Sequence, residues 1–378
     1  MRKLMDEVSF QNLGKGGKET HLFKYLSTAS PRPSAVEAES EQAQTEKAGE
    51  KIDYRVRRME PAEAVEVSRC AYAAYSYTYV NENIYFPERV KALNAAEKIV
   101  SFVAVASNGD LMGHAALEFD DQKEVAECGV IFVKPAFRGQ GCMNTLMEAL
   151  IEEGKRRRLA GLYAMAVTTH PFSQKAIHRH DFKECGLRLS RLGPVEFKNI
   201  SVEEMRRESL MHLFNYLTPP GKRRIFPPAH HAAMITKIYQ WLGAEPELQS
   251  AEKDLPGEDA VLRITTDAFQ CADISVLAYG RNIVPEMKKN LKALCMDRIE
   301  TVYLNLSLGD PLTARMTAEF EDLGFFFSGV NPGPSGKDVL VLQYLNNLRF
   351  DYGWLKPASE TGQQLADYIK GCDPNLRM

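Results

Sequence analysis

The sequence has few of the features that a membrane, secreted or nucleic-acid-binding protein needs. None of its apolar runs approaches the roughly 18 residues of a membrane-spanning helix. A net charge of −3 provides no basic surface for nucleic acid. The first residues, MRKLMDEVSFQNLG, become polar before the apolar core of a secretory signal could form. We therefore expect a soluble protein with neither a membrane nor a nucleic acid as partner.

Disulfide and metal-binding patterns are also missing. The seven cysteines form no CxxC pair, and none stands beside histidine at the spacing of a zinc site. An odd number of cysteines scattered through apolar segments is typical of reduced, buried thiols. The sequence therefore predicts a cytoplasmic protein without a metal cofactor.

What the chain does have is the length for several domains. On a prior of roughly 100 to 200 residues per domain, 378 residues suggest two or three. Residues 27–51 are rich in Ser, Pro, Ala, Glu and Gln and predict a flexible acidic linker. Residues 1–26 before it are too few to bury a core alone. We expect the first full domain at 52–218, a second at 219–350 and a helical tail at 351–378.

The segment 127–158 is the one around which the chain is organised. Residues 128–133 read as a buried strand, and a helix with one apolar face begins near Met143. The loop RGQG at 138–141 joins them. A strand that enters a helix through a glycine loop leaves several main-chain N–H groups unpaired and pointing the same way. Such a loop binds anions.

The residues around this loop resemble the acetyl-CoA-binding motif of the GNAT N-acetyltransferases. In VKPAFRGQG, after the apolar string ECGVIFV, Arg138 and Gly141 match the family pattern of Arg or Gln, two residues, Gly, one residue, Gly or Ala. Met143 stands where the family has Gly or Ala. A purely structural turn is the alternative interpretation of the two glycines. The resemblance covers residues 52–217 and implies the α/β GNAT fold with a mixed sheet.

The resemblance also implies acetyl-CoA as co-substrate. A main-chain N–H near Phe132 and Val133 would hold the oxyanion of the reaction, and Lys134 and Arg138 would suit the CoA phosphates. The residues expected to bind the cofactor are Ile131, Phe132, Val133, Arg138, Gly139, Gln140, Gly141, Cys142, Met143 and Ser173.

Acetyl transfer to an amine needs a base for the amine and an acid for the departing thiolate. Glu127 stands six residues before Val133, where the family often has a carboxylate base; a solvent-facing residue at a strand end is the alternative. Aligning Phe182 with the family string NxxAxxLYxKxGF places Ile177 at the usual Tyr acid, and isoleucine has no proton to donate. His178 is a candidate substitute because imidazole titrates near neutral pH, although a surface histidine is the plainer interpretation.

Aromatic residues are concentrated near the region where the family binds its acceptor. We interpret them either as core or as a wall of the acceptor site. They are Tyr75, Tyr77, Tyr79, Tyr85 and Phe86. His114, on a predicted strand, is expected to be a core residue.

Apolar periodicity predicts the order of elements in the first domain. Strands are expected at 52–58, 100–107, 111–119, 128–133 and 161–168, and helices at 60–75, from about 143, and near 170–182. The sequence Asn108-Gly109-Asp110 is a hairpin signal between two of the strands. A last strand at 208–217 is expected to complete the sheet.

Residues 219–350 predict a helix, two strands, a helix, a strand, a helix and two strands. This order resembles the rear half of a GNAT fold, and EFEDLGFFFSG imitates the helix-to-GF step. The string AYGRNIVPEM before the first long helix lacks the glycine loop. We therefore predict a degenerate GNAT-like module without a second cofactor site.

The N-terminal residues 1–26 resemble the last helix and hairpin of an anti-sigma-factor serine kinase, a GHKL-type ATPase. The strings RKLMDEV and GKGG carry that resemblance. The family's ATP-binding Asn and glycine motifs would lie upstream, so we predict a remnant that cannot bind ATP. An unrelated hairpin is the alternative.

Together these features predict an N-acetyltransferase that acts on a primary amine of a small molecule or a protein. The alternative is a catalytically weak acyl-CoA-binding regulatory module with a protein partner in a sigma-factor partner-switching system. Glu127 favours the enzyme, whereas Ile177, Met143 and the kinase-like segment favour the sensor.

Overall fold

The computed structural model describes residues 7–12, 18–23, 51–77, 79–119, 124–194, 207–250, 253–334 and 336–376. The chain forms two compact units, Met1–Lys51 and Ile52–Met378. In the first unit, strands β1 (Glu7–Asn12) and β2 (Lys18–Phe23) pair antiparallel. The predicted strand pair is thus confirmed. The linker up to residue 50 and the glycine turn at 14–17 lie outside the described residues.

The second unit contains a mixed sheet of twelve strands. Seven of them come first in the chain: β3 (Tyr54–Arg58), β4 (Ile99–Ala106), β5 (Leu111–Phe119), β6 (Val125–Val133), β7 (Gly161–Val167), β8 (Lys183–Pro194) and β9 (Arg207–Tyr216). A separate parallel pair follows, formed by β10 (Arg223–Ile225) and β11 (Pro246–Leu248). The sheet resumes with β12 (Val261–Thr266), β13 (Cys271–Ala278), β14 (Thr301–Ser307), β15 (Phe326–Asn331) and β16 (Val339–Leu345).

Eight α-helices lie within the described part of this unit, and none of them is long and apolar enough to cross a membrane. They are α1 (Ala64–Tyr75), α2 (Pro87–Ala95), α3 (Cys142–Arg156), α4 (Phe172–His178), α5 (Ala232–Trp241), α6 (Ile283–Met296), α7 (Pro311–Glu321) and α8 (Glu360–Cys372).

Helices cover both faces of the sheet around β5 and β6. On one face, Val67 and Cys70 of α1 belong to the same apolar cluster as Phe132 of β6. On the other, Leu146 of α3 shares a larger cluster with Cys128 of β6. The strand β6 is therefore buried between two helical layers, as its apolar sequence predicted.

The strands follow one another across the sheet in the order β3, β4, β5, β6, β7, β9, β8, β15, β16, β14, β13 and β12. From β5 to β8 the successive pairs are antiparallel, parallel, antiparallel and antiparallel. From β12 to β15 they follow the same sequence of directions. Outward from the contact between β8 and β15, the strands β8, β9, β7, β6 and β5 therefore pair in the same succession of directions as β15, β16, β14, β13 and β12.

Two glycines form the contact between β8 and β15. Gly186 is paired with Gly329, and a Cβ atom on Gly329 would collide with the Cα of Gly186 and the carbonyl oxygen of Cys185. The φ angle of Gly329 is +142°, which side chains rarely allow. Gly186 follows Phe182 by four residues, and Gly329 follows Phe325 by the same spacing. The two strands therefore meet at corresponding positions.

Most predicted elements are confirmed to within three residues, but the strand β8, the helix α2 and the short pair β10 and β11 were missed. The expectation that residues 208–217 complete the sheet is wrong, because β8 lies beyond β9 and continues the sheet into β15. Its residues Leu187, Arg188, Leu189 and Ser190 alternate between apolar and polar, which is the signal of a strand. Arg188 is largely buried, and its guanidinium lies 3.4 Å from the carboxylate of Asp273.

Candidate functional site

A bulge in β6 shapes the centre of the sheet. His114 of β5 lies opposite Phe132, but Ala116 lies opposite Gly129, so β6 has one residue more than β5 between these pairs. Val130 lies in this bulge and has a φ angle of +51°. His114 is fully buried there, as predicted, and its Nδ1 lies 2.8 Å from the carbonyl oxygen of Val130.

The bulge reverses the alternation of side chains along β6. Before it, Cys128 packs in the cluster of α3; after it, Phe132 packs in the cluster of α1. Residues 128 and 132 would share a face in a regular strand. The extra residue therefore brings Glu127 and Phe132 to the same side of the sheet, the side of α1.

Two carboxylates face one another on that side. Glu118 of β5 is the direct cross-strand neighbour of Glu127. Its side chain lies over Gly129, where any Cβ atom would collide with it. Asn81, in the turn before α2, donates from Nδ2 to Glu118 Oε2 over 3.1 Å. A glutamate pair thus stands where the sequence indicated a single base.

The pair retains a proton at higher pH than an isolated glutamate does. Burial, reinforced by the charge of Glu127, raises the pKa of Glu118 to about 8. Burial also raises the pKa of Glu127, opposed by a hydrogen bond with Tyr163 and by the charges of Arg188 and Arg191. Because two charged carboxylates side by side repel one another, the two groups lose their protons in separate steps.

Aromatic rings surround the carboxylates. The ring of Tyr79 lies 4.9 Å from that of Tyr75 and 5.7 Å from that of Phe132. Burial and the nearby glutamates raise the pKa of the Tyr79 phenol well above its usual value, so it keeps its proton. Tyr77, by contrast, is 76% exposed and packs on Tyr85. The predicted aromatic cluster therefore has an inner part beside the carboxylates and an outer part in contact with solvent.

A gap opens between β6 and β7 beside this pair. The two parallel strands are paired only from Val125 to Glu127 on β6, although both strands continue further. At the far end of the gap, Lys134 donates its main-chain N–H to Met112 of β5 over 2.9 Å. Since successive N–H groups along a strand point in opposite directions, that of Val133 points toward β7 and into the gap.

The loop at the end of β6 presents a run of unbonded amides. In the described part of the chain, none of the main-chain N–H groups of residues 139–143 donates a hydrogen bond. Gly139 and Gly141 have φ of +81° and +85°, and a Cβ on Gly139 would meet open space. The run ends at the N-terminus of α3, where the helix dipole adds positive potential. Such a run of unbonded amides at a helix N-terminus suits an anion.

The strand β3 and Ile52 just before it hold this loop in place. Gln140 Oε1 accepts a hydrogen bond from the main-chain N–H of Ile52 over 3.1 Å. The hydroxyl of Tyr54 lies 3.0 Å from that of Thr145 on α3. The side chain of Gln140 therefore faces protein, while its main-chain N–H remains available.

The histidine expected as an acid is bound on both ring nitrogens. His178 Nδ1 lies 3.0 Å from the carbonyl oxygen of Phe182, and Nε2 lies 2.8 Å from Glu184 Oε1. The hydrogen bond to Glu184 raises the pKa of His178. Ile177 is buried in the core, and the hydroxyl of Ser173 is buried with no partner among the described residues. His178 thus links α4 to β8, and its role as acid stays a prediction.

The second half has a pocket at the corresponding strand ends. A cavity of about 480 Å³ lies beyond the paired part of β13 and β14, lined in part by Val276, Ser307 and Asp310. The turn before α6 differs from the loop 138–141, because Arg281 donates its main-chain N–H to Glu258 and Ile283 donates to Gly280. The amides of Arg281 and Ile283 are therefore occupied, unlike those of residues 139–143.

Sequence reasoning identified the loop and Glu127 but missed Glu118, Asn81 and Tyr163. The signal for Glu118 lay in the hairpin: once β5 and β6 are paired with one extra residue in β6, Glu118 falls opposite Glu127. No sequence pattern reveals the bulge itself, since Val130 is an ordinary strand residue.

A family model supports the same part of the chain. Residues 67–186 match the model of the acetyltransferase (GNAT) family. They include β4 to β7, the loop 138–141 and both glutamates. No curated protein matches the chain.

Solved structures with a similar backbone are distant in sequence. Mutant forms of the spermidine/spermine N-acetyltransferase SpeG from Vibrio cholerae are 15% identical, with 44% of this chain and 95% of that chain covered at a TM-score of 0.35. The putative acetyltransferase yncA from Salmonella typhimurium, with its cofactor acetyl-CoA, is 17% identical, with 45% and 96% covered at a TM-score of 0.37. At these values neither likeness bears on the substrate.

The family match and the large mixed sheet with its helical layers are consistent with the GNAT fold that the sequence predicted. Residues 67–186 are therefore similar to the GNAT acetyltransferase family, within a larger mixed α/β chain.

Proposed function

We propose that the protein transfers an acetyl group from acetyl-CoA to a primary amine of a small molecule or a protein. The observation that carries this proposal is the run of unbonded amides at 139–143 beside the open edge of β6. A diphosphate on these amides would allow the pantetheine arm to enter the gap between β6 and β7. The thioester would then lie near the glutamate pair.

In the proposed reaction the amine nitrogen attacks the thioester carbonyl carbon. Glu127 takes the proton that the ammonium group must lose, and the N–H of Val133 holds the oxyanion. The C–S bond then breaks and releases the thiolate of CoA. No dedicated acid is assigned, because Ile177 is apolar and the ring nitrogens of His178 are bound.

The surroundings of the glutamate pair favour a cationic acceptor. Ionisation of one of the two carboxyl groups leaves a negative charge that attracts an ammonium group. Tyr75 and Tyr79 provide ring faces nearby, on which a cation and its aliphatic chain can pack. We therefore propose an amine that reaches the site protonated.

We also propose that residues 261–345 are a degenerate GNAT-like copy. The mirrored strand order and the matched Phe-Gly spacing at 182–186 and 325–329 support this interpretation. The copy has bonded amides where the first half has its cradle, so we assign it no acetyl-CoA.

A thiol-release assay with acetyl-CoA and a panel of amines tests the enzyme. We expect release of free CoA with at least one primary amine and none with the corresponding tertiary amine. A regulatory module is the alternative, favoured by the buried Ile177 at the usual acid position. Tight acetyl-CoA binding without turnover on any amine, and unaffected by Glu127→Gln, would contradict the enzyme and favour that module.

The substitution Glu118→Gln is expected to change the pH dependence of kcat/KM. Glu127 acts as base only when ionised, and its pKa is raised, so activity rises with pH through that pKa. Glu118 has a pKa raised to about 8 and adds a second negative charge beside Glu127 when it ionises. Glutamine cannot ionise, so the change of slope near pH 8 should disappear from the profile of the variant, while the rising limb of Glu127 remains. Glu148→Gln, on the exposed face of α3, is the matched control; an identical profile in all three proteins would refute the pairing.

The substitution Gly141→Val is expected to weaken acetyl-CoA binding at least tenfold. Gly141 has φ of +85°, so a β-branched residue would twist the loop and turn its amides away from the diphosphate. Calorimetric titration with acetyl-CoA measures the effect. Gly243→Val places the same strain, at φ of +71°, in an exposed turn after α5 and should leave the affinity unchanged. Equal affinities of the two variants would argue against the cradle.

A further inference from the structure

Two histidines and a glutamate converge in the second half, from two distant parts of the chain. His230 and His231 immediately precede α5, and Glu321 is the last residue of α7. His230 Nε2 lies 2.7 Å from Glu321 Oε2, and His231 Nε2 lies 2.7 Å from Glu321 Oε1. One ligand atom from each of the three residues lies within 4.8 Å of the others.

We propose that His230, His231 and Glu321 bind a divalent transition-metal ion, with zinc as the best match. Two imidazole nitrogens and one carboxylate oxygen are a ligand set that zinc accepts, with a fourth position left for water or another ligand. Magnesium and calcium require mostly oxygen ligands, so this set disfavours them. The ligand atoms of the three side chains lie at most 4.8 Å from one another. In a tetrahedral zinc site this distance is roughly 3.3 Å, so small side-chain movements would complete the site.

A supporting hydrogen bond already orients the inner ligand. His231 is 3% exposed, and its Nδ1 lies 2.7 Å from the hydroxyl of Tyr368 on α8. The Tyr368 hydroxyl can donate its own hydrogen bond to the carbonyl oxygen of His230, 3.3 Å away. Nδ1 of His231 can then be the protonated nitrogen, which leaves the lone pair of Nε2 for the metal. Metal-binding histidines usually have such a partner on their second nitrogen.

The site combines a buried floor with an open side. His230 is 49% exposed and Glu321 24%, so an ion can enter from solvent on their side. His231 packs between the rings of Phe327 and Tyr368, with centroids at 4.8 and 5.9 Å, and this fixes its position. A metal would tie the start of α5 to the end of α7. This differs from the expectation of no metal, which rested on cysteine spacing and overlooked adjacent histidines.

Equilibrium dialysis of the full chain against zinc, with elemental analysis, tests the proposal. We expect one bound ion per chain and a melting temperature that rises with zinc concentration. Cobalt in place of zinc should give the visible absorption of four-coordinate cobalt. His230→Gln and Glu321→Gln should each weaken binding at least tenfold. Glu319→Gln removes a carboxylate from the exposed face of the same helix and should bind as the unchanged protein does.

Two outcomes would overturn the proposal. One is the absence of stoichiometric zinc in the unchanged protein, and the other is unchanged affinity in both His230→Gln and Glu321→Gln. The melting temperature of each variant without metal reports whether it is folded, and a substitution at the exposed His230 should alter it little. A folded His230→Gln protein that loses the ion therefore separates metal binding from a structural role of the cluster.

Discussion

Glu127→Gln is expected to lower kcat/KM for amine acetylation by about 10²- to 10⁴-fold, the range typical of a lost general base. Glutamine preserves the size of the side chain but cannot accept the proton of the ammonium group. The affinity for acetyl-CoA should remain unchanged, because the amides of residues 139–143 do not contact this side chain. Steady-state kinetics and calorimetry on the same preparation measure both quantities.

The neighbouring carboxylate provides the comparison for this experiment. If Glu127 is the base, Glu118→Gln retains most of the maximal rate and changes mainly its pH dependence. Full activity in Glu127→Gln would contradict its role as base. If Glu118→Gln then lost activity instead, the two roles would be exchanged, and the acid–base chemistry would still belong to this pair.

Gly329→Ala is expected to lower the free energy of unfolding by on the order of 4 kcal/mol. The added Cβ would collide with the main chain of Gly186, which cannot move as a side-chain end can. The φ angle of +142° adds backbone strain for any other residue. Since β8 and β15 join the two parts of the sheet here, the strands would have to separate locally. Chemical denaturation measures the loss.

A matched glycine distinguishes this effect from a general cost of alanine. A Cβ on Gly221 would meet open space, and its φ angle is not in the left-handed region. Gly221→Ala should therefore change stability by less than about 0.5 kcal/mol. An equally small loss in Gly329→Ala would mean that the close contact between the two strands is not formed in solution.

Local features of the sequence predicted the elements well. Apolar runs and turn signals such as Asn108-Gly109-Asp110 depend on neighbouring residues, so the hairpin of β4 and β5 and the strand β14 were placed correctly. The loop 138–141 between a strand and a helix was predictable for the same reason. Its glycines, the strand before it and the helix after it are contiguous in the chain.

Features that depend on distant pairing were not predictable. Strict alternation along β6 would put Glu127 on the face of Ile131 and Val133, away from α1. The bulge at Val130 places Glu127 on the face of α1 instead. The ion pair of Arg191 with Asp267 was not predictable either, because it depends on the contact between the two halves of the sheet. A buried charge becomes favourable only once its partner is in place.

Hydrogen–deuterium exchange of the peptides that cover residues 134–146, with and without acetyl-CoA, tests the central claim most directly. If the amides of residues 139–143 bind the diphosphate, their exchange slows when acetyl-CoA binds. The exchange of residues 276–283, at the pocket of the second half, does not change. If acetyl-CoA binds while exchange at 139–143 stays the same, or if protection appears at 276–283 instead, the cofactor site has been assigned to the wrong loop.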